Sequence, residues 1–221
     1  MSKNSMGYMG PQVGKLGTAV GFRWRGKDVY RAYQKLVSNP RTEGQQLVRA
    51  KFSLLSSLGS RFQSAIDLGY AKPAYSAGMT NNNMFMQENY SHVTGNTPET
   101  LEVSLPAIEV SKGNLPAVNV GQNLDVSTPS KVTVNLTSTQ STSPRASLAD
   151  KIYAFAYCPA AREGRLSDGV ANRSATAVSV ENLPNSWSGL EVYVYVFVIG
   201  NGPKTAGVAS QTVYAGCNEL A

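Results

Sequence analysis

The chain has 221 residues, 42% hydrophobic and only 15% charged, with a formal net charge of +6. That supplies enough apolar material for a packed core, while abundant Ser, Thr, Asn and Gly favour strands and turns over long solvated helices. No apolar run approaches the ~20 residues of a membrane span, and Met1–Gly10 lacks the apolar stretch of a signal peptide. The expectation is a protein made in the cytoplasm with no membrane partner.

The charge is unevenly spread: residues 1–72 hold twelve Lys/Arg against three acids, and the remainder eight against eleven. A basic first part of this kind suits an acidic partner surface, either protein or nucleic acid. Residues 1–17, rich in Gly, Met and Ser, show no period and predict an extended arm. Residues 18–37 hold two short β-like runs around Arg25-Gly26-Lys27-Asp28, which predicts a hairpin. In the first run Phe22 and Trp24 alternate with Arg23 and Arg25, giving one aromatic and one cationic face.

Asn39-Pro40 then breaks the chain, and Thr42-Glu43-Gly44-Gln45 fits a capping box. Leu47, Ala50, Leu54, Leu58, Phe62, Ala65 and Ile66 recur at helical spacing, predicting a helix over 42–68 that Gly59 could divide. A second helix is expected within 80–92, capped by Thr80. From Thr97 onward period-two alternation takes over. Strands are expected at 101–105, 108–110, 132–136, 152–157, 175–180, 192–198 and 208–213, with 138–147 as a loop. This series predicts a Greek-key sandwich, and the final pair resembles the last hairpin of fibronectin type III and other immunoglobulin-like domains.

The chemistry-bearing residues are sparse. His92 is the single histidine, which excludes His-dyad metal sites and most His relays. Cys158 and Cys217, with no export signal, are expected as free thiols. Gly10-Pro-Gln-Val-Gly14-Lys15 lacks the spacing and hydroxyl of a phosphate loop. Glu99, Glu102 and Glu109 read as solvated strand positions, and Asp168 as a turn residue. No catalytic residue, metal ligand or cofactor is assigned, and the chain is expected not to be an enzyme.

The candidate site is the cluster Lys15, Arg23, Trp24, Arg25, Lys27, Tyr30, Arg31, Tyr33 and Lys35. It admits three readings: rings packed under the helix stripe with the cations solvated, a protein-docking surface, or a stacking platform for single-stranded nucleic acid.

Gly14-Lys-Leu-Gly17, Trp24-Arg-Gly26, Asn39-Pro-Arg-Thr42, Gln46 and Arg49-Ala-Lys-Phe52 together resemble an uncharacterised family abundant in Bacteroidetes genomes and associated with phage. Tyr157-Cys-Pro159, Gly164–Asp168 and Val208–Gly216 fit the same pattern, so the resemblance spans nearly the whole chain. It implies an immunoglobulin-like C-terminal portion and a virion role, without an established activity.

The expected architecture is α+β: a basic arm, β-hairpin and helical unit over 1–96, then an immunoglobulin/fibronectin III-like β-sandwich over 97–221. The expected function is structural, as a phage virion component present in many copies or as a homo-oligomer. Such a protein would dock on other structural proteins through its arm and cationic hairpin, and the alternative is nucleic-acid binding through residues 23–35.

Overall fold

A computed structural model describes residues 3–4, 12–36, 38–138, 143–169 and 171–221. The chain forms two compact units, Met1–Gln45 and Gln46–Ala221. The expected division at 96/97 thus falls inside the second unit.

The first unit is an antiparallel sheet of β1 (Lys3–Asn4), β2 (Gln12–Leu16), β3 (Ala19–Trp24) and β4 (Lys27–Ala32), in that order. The expected hairpin is β3–β4, and its turn is only two residues long: Trp24 lies opposite Lys27, with Arg25 and Gly26 at φ 46° and 80°. Two successive positive φ angles match the twist of paired strands. The extended arm expected over 1–17 is corrected at 12–16, where β2 pairs with β3. Residues 5–11 of that arm lie outside the described residues. Gly14 and Gly21 sit opposite each other, and their missing side chains let Tyr30 reach across the sheet. Its hydroxyl accepts a hydrogen bond from the Gln12 amide at 3.2 Å.

The division between the units falls within the first turn of α1 (Glu43–Arg61), at whose start the Thr42 hydroxyl accepts from the Gln45 amide at 3.4 Å as the capping box requires. The expected break at Gly59 is corrected: Gly59 lies within α1, and a Cβ there would touch the Phe85 ring at 3.4 Å. The helix ends instead at Phe62, which leads into α2 (Gln63–Gly69) and α3 (Ala71–Ser76). The last helix, α4 (Asn81–Asn89), is capped by Thr80 as expected, with its hydroxyl accepting from Asn83 at 3.2 Å. No helix among the described residues is long and apolar enough to cross a membrane.

After β5 (Val93–Thr94) and β6 (Glu102–Val103), which pair only with each other, the chain runs extended and buried through Ile108 and Val110. No strand forms at 108–110, because side chains rather than a ladder take its backbone groups. Asn89 accepts from the Glu109 amide and donates to the Glu109 carbonyl, while the Thr212 hydroxyl accepts from the Val110 and Ser111 amides. Asn89 is fully buried, so replacing it with Ala orphans the Glu109 amide, while the Glu109 carbonyl keeps the Tyr70 hydroxyl as a donor at 2.9 Å. A loss of about 1–3 kcal/mol in a urea midpoint analysis is expected, where an exposed-site Ala control would change little.

The remaining strands are β7 (Asn119–Asp125), β8 (Val132–Ser138), β9 (Lys151–Cys158), β10 (Glu163–Leu166), β11 (Ala177–Val180), β12 (Glu191–Ile199) and β13 (Val213–Glu219). They form two antiparallel sheets, ordered β11-β8-β7 and β10-β9-β12-β13. The expected strands at 132–136, 152–157 and 192–198 are present, and that at 175–180 narrows to 177–180. The strand expected at 208–213 is divided: residues 208–210 bridge antiparallel to the end of β12 through Ile199 and Ala209, β13 starts at Val213, and the 110–115 segment is bound through Thr212 and a Leu115–Ser210 bridge. Residues 139–142 of the expected 138–147 loop lie outside the described residues.

Two cores flank the four-stranded sheet. One face presents Ile152, Ala154, Ala156, Val194, Val196 and Val198 to Val132, Val134, Val178 and Val180 of the other sheet, around Trp187. The opposite face presents Phe155, Tyr157, Tyr195 and Phe197 to Phe62, Ile66, Tyr70 and Phe85 of the helices. The second unit is therefore layered as helices, sheet and sheet, and the chain as a whole is α+β.

Both cysteines are free. Cys217 lies opposite Tyr193, itself opposite Tyr157, so Cys217 shares the helix-facing side with them. Cys158 follows Tyr157 and points into the other core. The thiols project from opposite faces of one sheet and cannot bridge.

One polar group lies deep at an end of these sheets. Asp150 and Arg173 are 0% and 1% exposed at their side chains, with Arg173 Nε donating to Asp150 Oδ2 at 3.0 Å. The same carboxylate accepts from the backbone amides of Ser147 and Asn201, and Arg173 Nη2 donates to the Pro116 carbonyl. Four separate loops meet there.

Candidate functional site

In an antiparallel sheet, directly opposed residues share a face and neighbours along a strand alternate. That geometry divides the sequence-predicted cluster. Lys15, Trp24, Lys27 and Arg31 lie on one face with Val13, Val20, Phe22 and Val29, since Lys15 opposes Val20, Val20 opposes Arg31 and Trp24 opposes Lys27. Arg23 and Tyr30 lie on the other face, Arg25 occupies the turn, and Tyr33 and Lys35 follow β4. The expected separation into an aromatic and a cationic face is thereby corrected. Phe22 and Trp24 do share a face, but β4 sets Lys27 and Arg31 beside them.

The rings in this sheet are open to solvent: Phe22 is 38% exposed, Trp24 47%, Tyr30 53% and Tyr33 41%. Among the described residues of the first unit only Gly21 is buried. Two of the cations are engaged locally. Lys15 Nζ stands 3.9 Å above the Tyr33 ring, and Arg23 lies 4.0 Å from the Asp28 carboxylate across the strand pair. Such an exposed ion pair contributes little to stability. Beside them a hollow of about 460 Å³ is lined by Val20, Arg31, Ala32, Tyr33 and Gln34. The first unit carries eight Lys/Arg against two acids, and the second carries twelve of each.

The surface can therefore offer flat apolar contact, ring faces and unpaired-sign charge together. Sequence reasoning found its cations and aromatics but missed Val13 and Val29, which extend the apolar stripe. Alternation within Gln12–Leu16 was the available signal, hidden by Gly14.

Elsewhere, among the described residues, no three His, Cys, Asp or Glu side chains converge to hold a metal ion. His92 lies in a single helical turn after α4, and Glu102 is an exposed residue of β6. Gly14 and Lys15, the end of the phosphate-loop-like stretch, are strand residues.

No curated protein matches the chain. Among solved structures, the fn3 domain of human collagen alpha-1(XX) chain matches at 19% identity over 50% of this chain and 89% of that domain, with a TM-score of 0.31. The family described as "Family of unknown function (DUF6266)" matches residues 11–216. With that match covering both units almost entirely, the chain belongs to DUF6266.

Proposed function

We propose that this chain is a non-catalytic assembly protein that docks on other structural proteins, in many copies, through its first unit; in the setting its sequence resemblance implies, that assembly is a phage virion. The observation that carries the reading is the open sheet of Met1–Gln45, whose aromatic and aliphatic side chains are exposed. A small sheet ordinarily needs an apolar face packed against something to be stable. A partner that covers Val13, Phe22, Trp24 and Val29 while meeting Lys15, Lys27 and Arg31 with acids supplies that packing.

In the same reading the second unit is an immunoglobulin/fibronectin III-like sandwich with a helical layer added. In chain order its strands β7, β8, β9, β10, β11, β12 and β13 take the places A, B, C, C′, E, F and G. The observed sheet orders then become E-B-A and C′-C-F-G, the pairing of a Greek-key sandwich.

The concentration of charge beside exposed rings favours one second reading, in which single-stranded nucleic acid binds the same surface. Lys15 covering one face of Tyr33 counts against it, since that face is then closed to a base.

Deleting residues 1–36 spares the Thr42 cap and tests the proposal. The shortened protein is expected to melt as cooperatively as the intact one and to lose co-sedimentation with its native particle. Normal incorporation of the shortened form would overturn docking through the first unit. Oligonucleotide binding by the purified protein that weakens on Trp24→Ala would instead establish the second reading, with a loss of ~1–3 kcal/mol for the lost stacking.

A further inference from the structure

A cleft of about 360 Å³ opens on the second unit, between the C-terminal half of α1, the 101–105 segment and the turn joining β9 to β10. Its apolar wall is built by Leu58, Leu101, Val103 and Leu105. Three polar residues line the same space: Arg61, Arg162 and Tyr157.

Each of the three has unused hydrogen-bonding capacity. Arg61 Nε donates to the Ser57 carbonyl at 3.3 Å and Nη1 to the Arg162 carbonyl at 2.9 Å. These bonds fix the guanidinium at the rim and leave its Nη2 protons unused. Among the described residues neither Arg61 nor Arg162 pairs with an acid, and the neighbouring Glu163 faces Arg165 at 3.6 Å instead. Tyr157 is 6% exposed, and its ring packs on Phe62 at 4.7 Å. Its hydroxyl makes no hydrogen bond among the described residues. Burial pushes the Tyr157 phenol up, and both arginines lie close enough to oppose that shift. A phenol donor without a protein partner, beside two cations that no acid among the described residues neutralises, is an arrangement that an anionic acceptor would satisfy.

Arg162 adopts φ 55°, a conformation L residues rarely take, and this turns the chain so that its carbonyl meets Arg61. Gly164 lies beneath, where a Cβ would collide with the Phe155 ring and the Arg61 carbonyl.

We infer that this cleft is a binding site for an organic carboxylate carried on a compact aliphatic body, with the carboxylate held by Arg61, Arg162 and Tyr157 and the body lying against the leucines. A free branched-chain acid and the C-terminal leucine of a peptide share this chemistry. Planar, forked guanidinium donors match a carboxylate better than any neutral acceptor. The site is separate from the first unit and does not depend on its docking role.

Titration of the full-length protein, followed by two-dimensional NMR, tests the inference with four probes. N-acetyl-leucine and N-acetyl-leucinamide differ only in the carboxylate; a pentapeptide ending in leucine, with free or amidated terminus, distinguishes a peptide source from a small acid. Shifts are expected at residues around 58, 103 and 157 with the two carboxylates, and affinity about tenfold or more weaker with the amides. Tighter binding of the free-terminus peptide than of the amino acid would mark a peptide as the source, and the reverse a small acid. Arg162→Gln removes a side chain that makes no structural bond and is expected to cost about tenfold. Tyr157→Phe keeps the ring on Phe62 and is expected to weaken binding by a smaller factor. Equal binding of acid and amide, unchanged affinity in Arg162→Gln, or no shift at millimolar probe would each overturn the assignment.

Discussion

Replacing Phe62 with Ala is expected to destabilise the protein by about 3–5 kcal/mol, read as a fall in the denaturant midpoint at constant slope. Phe62 is fully buried at the break between α1 and α2, with ring centroids 4.7 Å from both Phe155 and Tyr157, 5.8 Å from Tyr195 and 6.1 Å from Phe85. It ties the helical layer to the middle of β9 and β12, so its loss leaves a cavity lined by rings that cannot collapse into it. The same packing predicts the behaviour of fragments. Residues 97–221 alone would expose Phe155, Tyr157, Tyr195 and Phe197 along one sheet face and are expected to aggregate or melt without cooperativity. Residues 38–221 retain the helices and are expected to melt cooperatively. Equal behaviour of the two fragments would show that the helical layer contributes little.

The Asp150–Arg173 pair is the second site of large effect, and its two ends are expected to differ. Removing one member of a buried pair leaves an uncompensated charge and costs about 3–5 kcal/mol. Asp150→Ala does this and also orphans the amides of Ser147 and Asn201, so it is expected at or above the top of that range. Arg173→Met leaves the carboxylate still accepting from those two amides, and a smaller loss is expected. A thermal melt of both variants would check the order, and equal losses would mean the backbone bonds contribute nothing.

The alternation of β9 and β12 shows what the sequence made legible and what it did not. Their runs, Ile152-Tyr-Ala-Phe-Ala-Tyr157 and Val192-Tyr-Val-Tyr-Val-Phe-Val198, marked strands without ambiguity. They alternate small aliphatic with aromatic rather than apolar with polar, and the absence of a polar face was the signal that both sides are covered. β7 escaped notice because Asn119, Gln122 and Asn123 are poor strand formers, and its place is set by pairing with β8. β13 contains Gly216, Asn218 and Glu219, yet it forms because it completes the edge of β12. Val208–Thr212 has better strand composition, but its backbone is shared between the end of β12 and Leu115, and the Thr212 hydroxyl serves Val110 and Ser111.

At the candidate surface, residue types were legible and the faces were not. Which side of the sheet Lys27 and Arg31 occupy depends on turn length, because one residue of slip in register reverses every side chain. Only the two-residue turn at Arg25-Gly26 places them beside Phe22 and Trp24. The cleft at Arg61 and Arg162 was invisible for a different reason: its members are 101 residues apart, and only the seating of the end of α1 over Gly164 of β10 brings them together.

The separation of charge between the units makes ionic strength a lever on one of them alone. Positive and negative side chains balance in the second unit, and its deepest ion pair is enclosed, where dissolved salt screens it poorly. The first unit carries the entire excess of six charges, most of it on its sheet. At physiological salt the screening length is ~8 Å and at 1 M ~3 Å, so in the docking proposed above concentrated salt dims the attraction of the first unit for an acidic surface while barely touching the fold of the second. A salt wash should therefore release the protein from its attachment intact and still folded, and dilution should restore the attachment.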